Sequence, residues 1–173
     1  YSSGLFSLKA RLSLRIAITG ISGRFGRLLA SVLHREHNVV GIDRRDFPGP
    51  ADVEMHRVDL RRKRCESVFR KQEFQAVIHL HFVRNLRASS NEHHTFNIQG
   101  TTRVMEYCAR YGVKKLILLS SANAYGPRAD NTQFLTEDAP LMGGERFSAI
   151  RDLVEMDMLG QSFFWKHSEV ETV

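Results

Sequence analysis

Cysteine, proline and tryptophan are scarce: two cysteines (Cys65 and Cys108), four prolines and one tryptophan occur in 173 residues. Two cysteines are too few for a disulfide framework, so the fold must rest on its apolar core, and the reducing cytoplasm is the expected location. Proline and glycine together are too sparse for a collagenous or low-complexity chain. No run approaches the roughly 20 apolar residues that span a bilayer; the longest, at Leu116 to Leu119, is the size of a strand. No membrane contact is expected. What remains is a chain with 42% hydrophobic and 25% charged residues, suited to one globular domain, with 25 Lys+Arg against 19 Asp+Glu for a net charge of +6.

The first residues carry Lys9, Arg11, Arg15 and four serines but no acid, a composition that faintly resembles a transit peptide. The plainer expectation is a disordered leader over 1–14, with one domain over 15–173. Arg15 to Thr19 is a short β-branched run ending at glycines, which is the pattern of a buried strand. A helix follows over 27–35, with Leu28, Leu29, Val32 and Leu33 expected on one face. Further strands are expected at 39–43, 53–58, 76–80 and 115–120, and an incipient sixth at 169–173. Helices are expected at 62–71, 92–111 and 147–165, with Gly112 as a C-cap. This alternation implies an α/β fold: a doubly wound parallel sheet of Rossmann type in three α/β/α layers, its strands ordered 3-2-1-4-5.

Gly20, Gly23 and Gly26 are the most informative residues. In a strand–turn–helix context the first glycine allows the tight turn and the second lets backbone N–H groups, Ser22 and Arg24 among their neighbours, approach a pyrophosphate. The third lets the helix pack closely on the strand. Asp43 ends the second strand 17 residues beyond Gly26, close to the roughly 20-residue offset of a carboxylate that binds the adenosine ribose. A carboxylate there favours NAD. Arg44 and Arg45 beside it keep NADP open, because arginine can accept a 2′-phosphate.

Five segments then occur in order: Thr19-Gly-Ile-Ser-Gly-Arg-Phe-Gly26, Val58-Asp59-Leu60, Val77-Ile-His-Leu80, Phe96-Asn97-Ile-Gln-Gly-Thr101 and Leu119-Ser-Ser-Ala-Asn-Ala-Tyr-Gly126. Together they resemble the extended short-chain dehydrogenase/reductases, and most closely the NAD-dependent epimerase/dehydratase family, which includes nucleotide-sugar epimerases. The resemblance implies that Phe25 joins the glycines at the pyrophosphate and that Asp59 and Leu60 flank the adenine. It further implies that Leu80, His81 and Phe82 line the cofactor cleft, with Ser120 at its edge, and that Asn97 supports the site. Ser121, four residues before Tyr125, falls where the family's catalytic hydroxyl lies; its plainer role is to satisfy backbone at a strand end. A sugar nucleotide and a homodimer contact through the last two long helices are also implied, as is a C-terminal substrate-binding part beyond this domain.

The family carries a Tyr-x-x-x-Lys pair on the helix after the fifth strand, and the matching segment here reads Phe147-Ser-Ala-Ile-Arg151. Residues at i and i+4 share a helix face, so a phenol and an ammonium there can act on one ligand. Phe147 has no proton to exchange, and Arg151 keeps a charge able to grip a ribose but in a planar fork. The expectation is therefore a domain that binds the dinucleotide with a depleted acid/base step. A non-catalytic NAD-binding regulatory protein is the alternative, and an RNA-associated protein of the same fold a lesser one.

His79 and His81 share a strand face, but no Cys, Asp or Glu cluster accompanies them, so no metal site is expected. His93 and His94 read as surface. Arg61-Arg-Lys-Arg64 lacks interleaved aromatics and reads as a solvated first helical turn, so nucleic acid is not the expected partner.

Overall fold

The computed structural model describes residues 13–80, 82, 90–127, 129, 131, 134–146 and 148–173. Most of the expected leader, and the site positions His81 and Phe147, lie outside the described residues. The elements run β1 (Arg15–Thr19), α1 (Arg24–Leu33), β2 (Asn38–Asp43), β3 (Glu54–Arg57), α2 (Lys63–Gln72) and β4 (Ala76–His79). Next come α3 (Ser90–His94), a π turn (Thr95–Gln99), α4 (Gly100–Arg110), β5 (Lys115–Leu118) and a 3₁₀ turn (Ala122–Tyr125). The chain closes with α5 (Gly143–Arg146), α6 (Ser148–Lys166) and β6 (Glu171–Thr172). All strand pairs are parallel, in the order β3-β2-β1-β4-β5-β6. The doubly wound order expected from the sequence holds, and β6 extends it beyond β5.

β1 sits between β2 and β4, in register Ile16↔Val39 and Ile16↔Ala76. Such a central strand is covered on both faces, which is why it reads as an unbroken apolar run rather than an alternating one. Its side chains divide between two layers. Ala17, with Val40, Ile42 and Val77, faces the larger cluster, where Cys65, Val68 and Phe69 of α2, Val104, Met105 and Cys108 of α4, and Phe163 of α6 pack. Ile16 and Ile18, with Val39 and Ile78, face the smaller one, whose helical residues come from α1. Burial pushes the Cys65 thiol up to about 12 and raises Cys108 further, so both cysteines serve as core residues. No helix among the described residues is long and apolar enough to cross a membrane.

Two sequence expectations change here. α1 begins at Arg24 rather than 27, and its buried residues are Gly26 and Ala30, with Leu29 and Leu33 partly covered. Leu28 and Val32 point outward instead, 60% and 58% exposed. The helix 92–111 is also not uniform, since the π turn divides it into α3 and α4.

The orientation of α1 follows from how close it lies to the turn that leaves β1. A Cβ at Gly26 would stand 2.5 Å from Ile21 Cα, 2.6 Å from Ile21 O and 2.7 Å from Gly20 O. These are backbone atoms and cannot swing aside. Gly20, at φ 75°, makes the turn that a residue with a side chain adopts only with strain. Gly26→Ala is accordingly expected to destabilise the chain by about 1–3 kcal/mol through overpacking, read as a lower urea midpoint at unchanged slope. An unaltered midpoint would contradict the close packing.

Candidate functional site

The glycine turn, the ends of β2 and β3, and the segment after β4 converge at the carboxyl edge of the sheet, where open α/β sheets bind ligands. The Gly23 N–H bonds back to Gly20 O at 3.0 Å, and Gly23 caps α1 without any side-chain hydrogen bond. No acidic residue lies in the first turn of α1. No side chain of the first turn neutralises the positive end of the helix, and the Gly20-to-Gly23 turn is closed by a backbone bond. A diphosphate suits that combination. Arg24 and Phe25 stand exposed on the outer side of the turn, Phe25 at 54%.

Asp43 is tied to this turn. Its Oδ2 accepts the Ser22 N–H at 3.1 Å, and its Oδ1 accepts the Arg45 N–H at 3.0 Å and the Arg45 guanidinium at 3.4 Å. The Ser22 hydroxyl donates to the Arg45 carbonyl at 3.1 Å, closing a second link between the turn and the end of β2. Burial alone would raise the Asp43 carboxyl, but the Arg45 and Ser22 donors outweigh it and hold the pKa below the ordinary 3.8. Each carboxylate oxygen retains acceptor capacity for a ribose hydroxyl.

At the end of β3, Asp59 binds Arg61 bidentately, Nε to Oδ1 at 3.0 Å and Nη2 to Oδ2 at 2.8 Å. Burial would raise this carboxyl too, and Arg61 together with the charge of Arg44 holds it low. Of the basic run, Arg62, Lys63 and Arg64 are exposed at the cap and first turn of α2, as expected from the sequence, while Arg61 precedes α2 and is committed to Asp59. Leu60 is buried in the larger core cluster. Leu80 and Phe82 are half-buried, and the Leu80 N–H bonds Thr19 O at 3.1 Å.

His79 is a framework residue: its Nδ1 lies 2.7 Å from Thr19 Oγ1 and its Nε2 2.9 Å from Thr101 Oγ1, all three buried. A neutral imidazole has one donor and one acceptor nitrogen, so it locks β1, β4 and α4 together.

α6 is tied to the segments that follow β4 and β5. Buried Asn97, carried on the π turn, donates to Asp152 Oδ2 at 2.8 Å, and His94 Nδ1 lies 3.1 Å from Asp152 Oδ1. His94 is therefore a helix-to-helix link and not mere surface. Asp152 follows Arg151, which is exposed on α6 beside Gly144. Ser121 Oγ accepts the Asn123 N–H at 3.3 Å and caps the 3₁₀ turn, while half-buried Tyr125 ends that turn. Ser120 donates instead to Asp157 on α6 at 2.7 Å. The Asn97–Asp152–His94 link leaves no signal in the sequence, because its partners lie 55 and 58 residues apart.

A depressed carboxyl contributes stability that is complete above its unfolded pKa and is lost as pH falls through its folded pKa. Asp43 and Asp59 place that loss below about pH 4. Heat scans from pH 7 down to 2 should show a steep drop in Tm there, and Asp43→Asn should be less stable at pH 7 with a shallower acid slope. An unchanged acid slope in the variant would contradict the Asp43 network.

The family model described as NAD dependent epimerase/dehydratase family matches residues 16–148. UDP-glucose 4-epimerase 2 of Arabidopsis thaliana is 26% identical over 159 residues, 81% of this chain and 45% of that protein. UDP-glucose 4-epimerase of Bacillus subtilis (strain 168) is 37% identical over 94 residues, 52% of this chain and 27% of that protein. Among solved structures, the UDP-Glc/GlcNAc 4-epimerase from Campylobacter jejuni superposes with a TM-score of 0.80 at 20% identity, over 92% of this chain and 52% of that one. A short-chain dehydrogenase/reductase superfamily protein from Agrobacterium tumefaciens with bound NAD gives 0.80 at 25% identity, over 92% and 47%. The chain spans about half the length of these structures and less than half that of the curated relatives. With the glycine turn, the carboxylate at the end of β2 and the parallel sheet all in place, the match over 16–148 is decisive: the chain belongs to the NAD dependent epimerase/dehydratase family.

Proposed function

We propose that the chain is the NAD-holding part of a sugar-nucleotide epimerase or dehydratase type of protein, with its acid/base pair replaced. The observation that carries this reading is the glycine turn, whose backbone closes against Ile21 and whose Ser22 N–H is bound to Asp43. In this reading Gly20, Ser22, Gly23 and Gly26 receive the diphosphate, with Arg24 and Phe25 at its border, and Asp43 meets the adenosine ribose. Asp59 and Leu60 flank the adenine; Leu80, His81 and Phe82 line the cleft; Asn97 supports it through Asp152. NAD, when bound, supplies a hydride acceptor.

Ser121 would hold the substrate oxygen by its hydroxyl proton, which its cap of the 3₁₀ turn leaves free to donate. Arg151 would grip the nicotinamide ribose. Phe147 cannot take up a proton from a substrate hydroxyl, and loss of general acid/base catalysis costs roughly 10²–10⁴-fold. Binding therefore outlasts turnover. A sugar nucleotide is the second ligand of this reading, and α4 and α6 its homodimer contact. The alternative, a purely regulatory NAD-binding protein, is not favoured by any particular contact.

Calorimetric titration of NAD into the 173-residue chain should show one site, and Phe147→Tyr/Arg151→Lys should retain it. In ultraviolet difference spectra the introduced phenol should ionise below the ordinary value of about 10, drawn down by the lysine. Absence of binding by either NAD or NADP would overturn the cofactor reading. A phenol titrating near 10 would overturn the assignment of positions 147 and 151.

A further inference from the structure

Phe96 belongs to none of the contacts described so far, yet it occupies an unusual setting. The Arg61 guanidinium carbon lies 3.6 Å from the Phe96 ring centroid and that of Arg44 lies 4.0 Å from it. Two guanidinium groups thus share one ring. Their situations differ. Arg61 is bound bidentately to Asp59, so its charge and its plane are both fixed. Arg44 is exposed, and among the described residues no carboxylate lies within ion-pair distance of it; its carbonyl accepts a bond from Arg57, and its guanidinium lies over the ring.

The ring reaches that place through the π turn at Thr95–Gln99. One extra residue in a helical turn re-aims the side chains it carries, and such turns collect at functional sites. Here the turn sends Asn97 inward to Asp152 and brings Phe96 to the two arginines. Arg44 directly follows Asp43 at the end of β2, and Asp59 stands just past β3, so the stack sits at the adenosine end of the crevice. A guanidinium is a plane with two faces, each able to stack on an aromatic system.

We propose that Phe96 is a positioning residue for the adenosine end: it holds the Arg44 guanidinium on one face so that the other is offered to the adenine base. This rests on the dinucleotide reading above. Phe96 acts through Arg44, while Arg61, anchored by Asp59, steadies the ring. The adenine then meets a preset cation plane instead of a mobile side chain, which lowers the ordering cost of binding.

The test titrates ADP-ribose, which carries the adenine and diphosphate without the nicotinamide, into the wild-type chain and into Phe96→Leu, Phe96→Tyr, Arg44→Lys and the Phe96→Leu/Arg44→Lys double variant. Leucine keeps the bulk and removes the π face; lysine keeps the charge and removes the plane. Phe96→Leu and Arg44→Lys should each weaken ADP-ribose about three- to fivefold, as for an exposed cation–π contact. The double variant should be no weaker than Arg44→Lys alone, and Phe96→Tyr should bind like the wild type. Unchanged binding in Phe96→Leu, or losses that add fully in the double variant, would overturn the proposal while the dinucleotide reading stands. A wild-type chain that binds neither ADP-ribose nor NAD would overturn both.

Discussion

The close contact of α1 with the turn that follows β1, in which Gly26 has no room for a methyl group beside Ile21 and Gly20, is the constraint from which the carboxyl edge is built. It fixes the rotation of α1, burying Gly26 and Ala30 and turning Leu28 and Val32 to solvent. It also carries Ser22 to within 3.1 Å of Asp43, so that turn and β2 end form one unit. A helix pushed outward by a single Cβ would lose its packing and that hydrogen bond together. Stability and ligand geometry therefore share the same few atoms.

Around that unit the sheet is held by a polar pin and by apolar layers. His79 joins β1 to α4 through Thr19 and Thr101, and the register Thr19↔His79 places the two residues side by side. Asn97 and His94 join the helix after β4 to α6 through Asp152. The two walls of the crevice are thus fixed by buried or half-buried polar contacts, which lose much of their benefit if one partner is removed. Asp152 is adjacent to Arg151, so the exposed Arg151 stands on a part of α6 that these contacts anchor.

Much of this was legible in the sequence, for identifiable physical reasons. Strand runs such as 15–19 and 76–79 are apolar on both faces because parallel strands are covered twice, and the glycine spacing reports steric needs that no other residue meets. Asp43 was found by its offset from the turn. What escaped depends on tertiary partners. Periodicity showed that α1 has an apolar face but not which one packs, since Leu28, Leu29, Val32 and Leu33 satisfy the same spacing and the contact at Gly26 decides between them. The π turn leaves no mark in composition, so the setting of Phe96 beside two arginines is hidden in the sequence. Arg61 stands apart from the solvated turn because Asp59, two residues before it, holds its guanidinium bidentately, a local pairing that the charge run alone does not reveal.

The most direct measurement of the central claim is hydrogen exchange of the backbone amides with and without NAD. Exchange should slow over residues 20–27 and 43–45, where the turn and the end of β2 form one unit, with no change at β6. Unchanged exchange at 20–27, or protection confined to other segments, would contradict that claim.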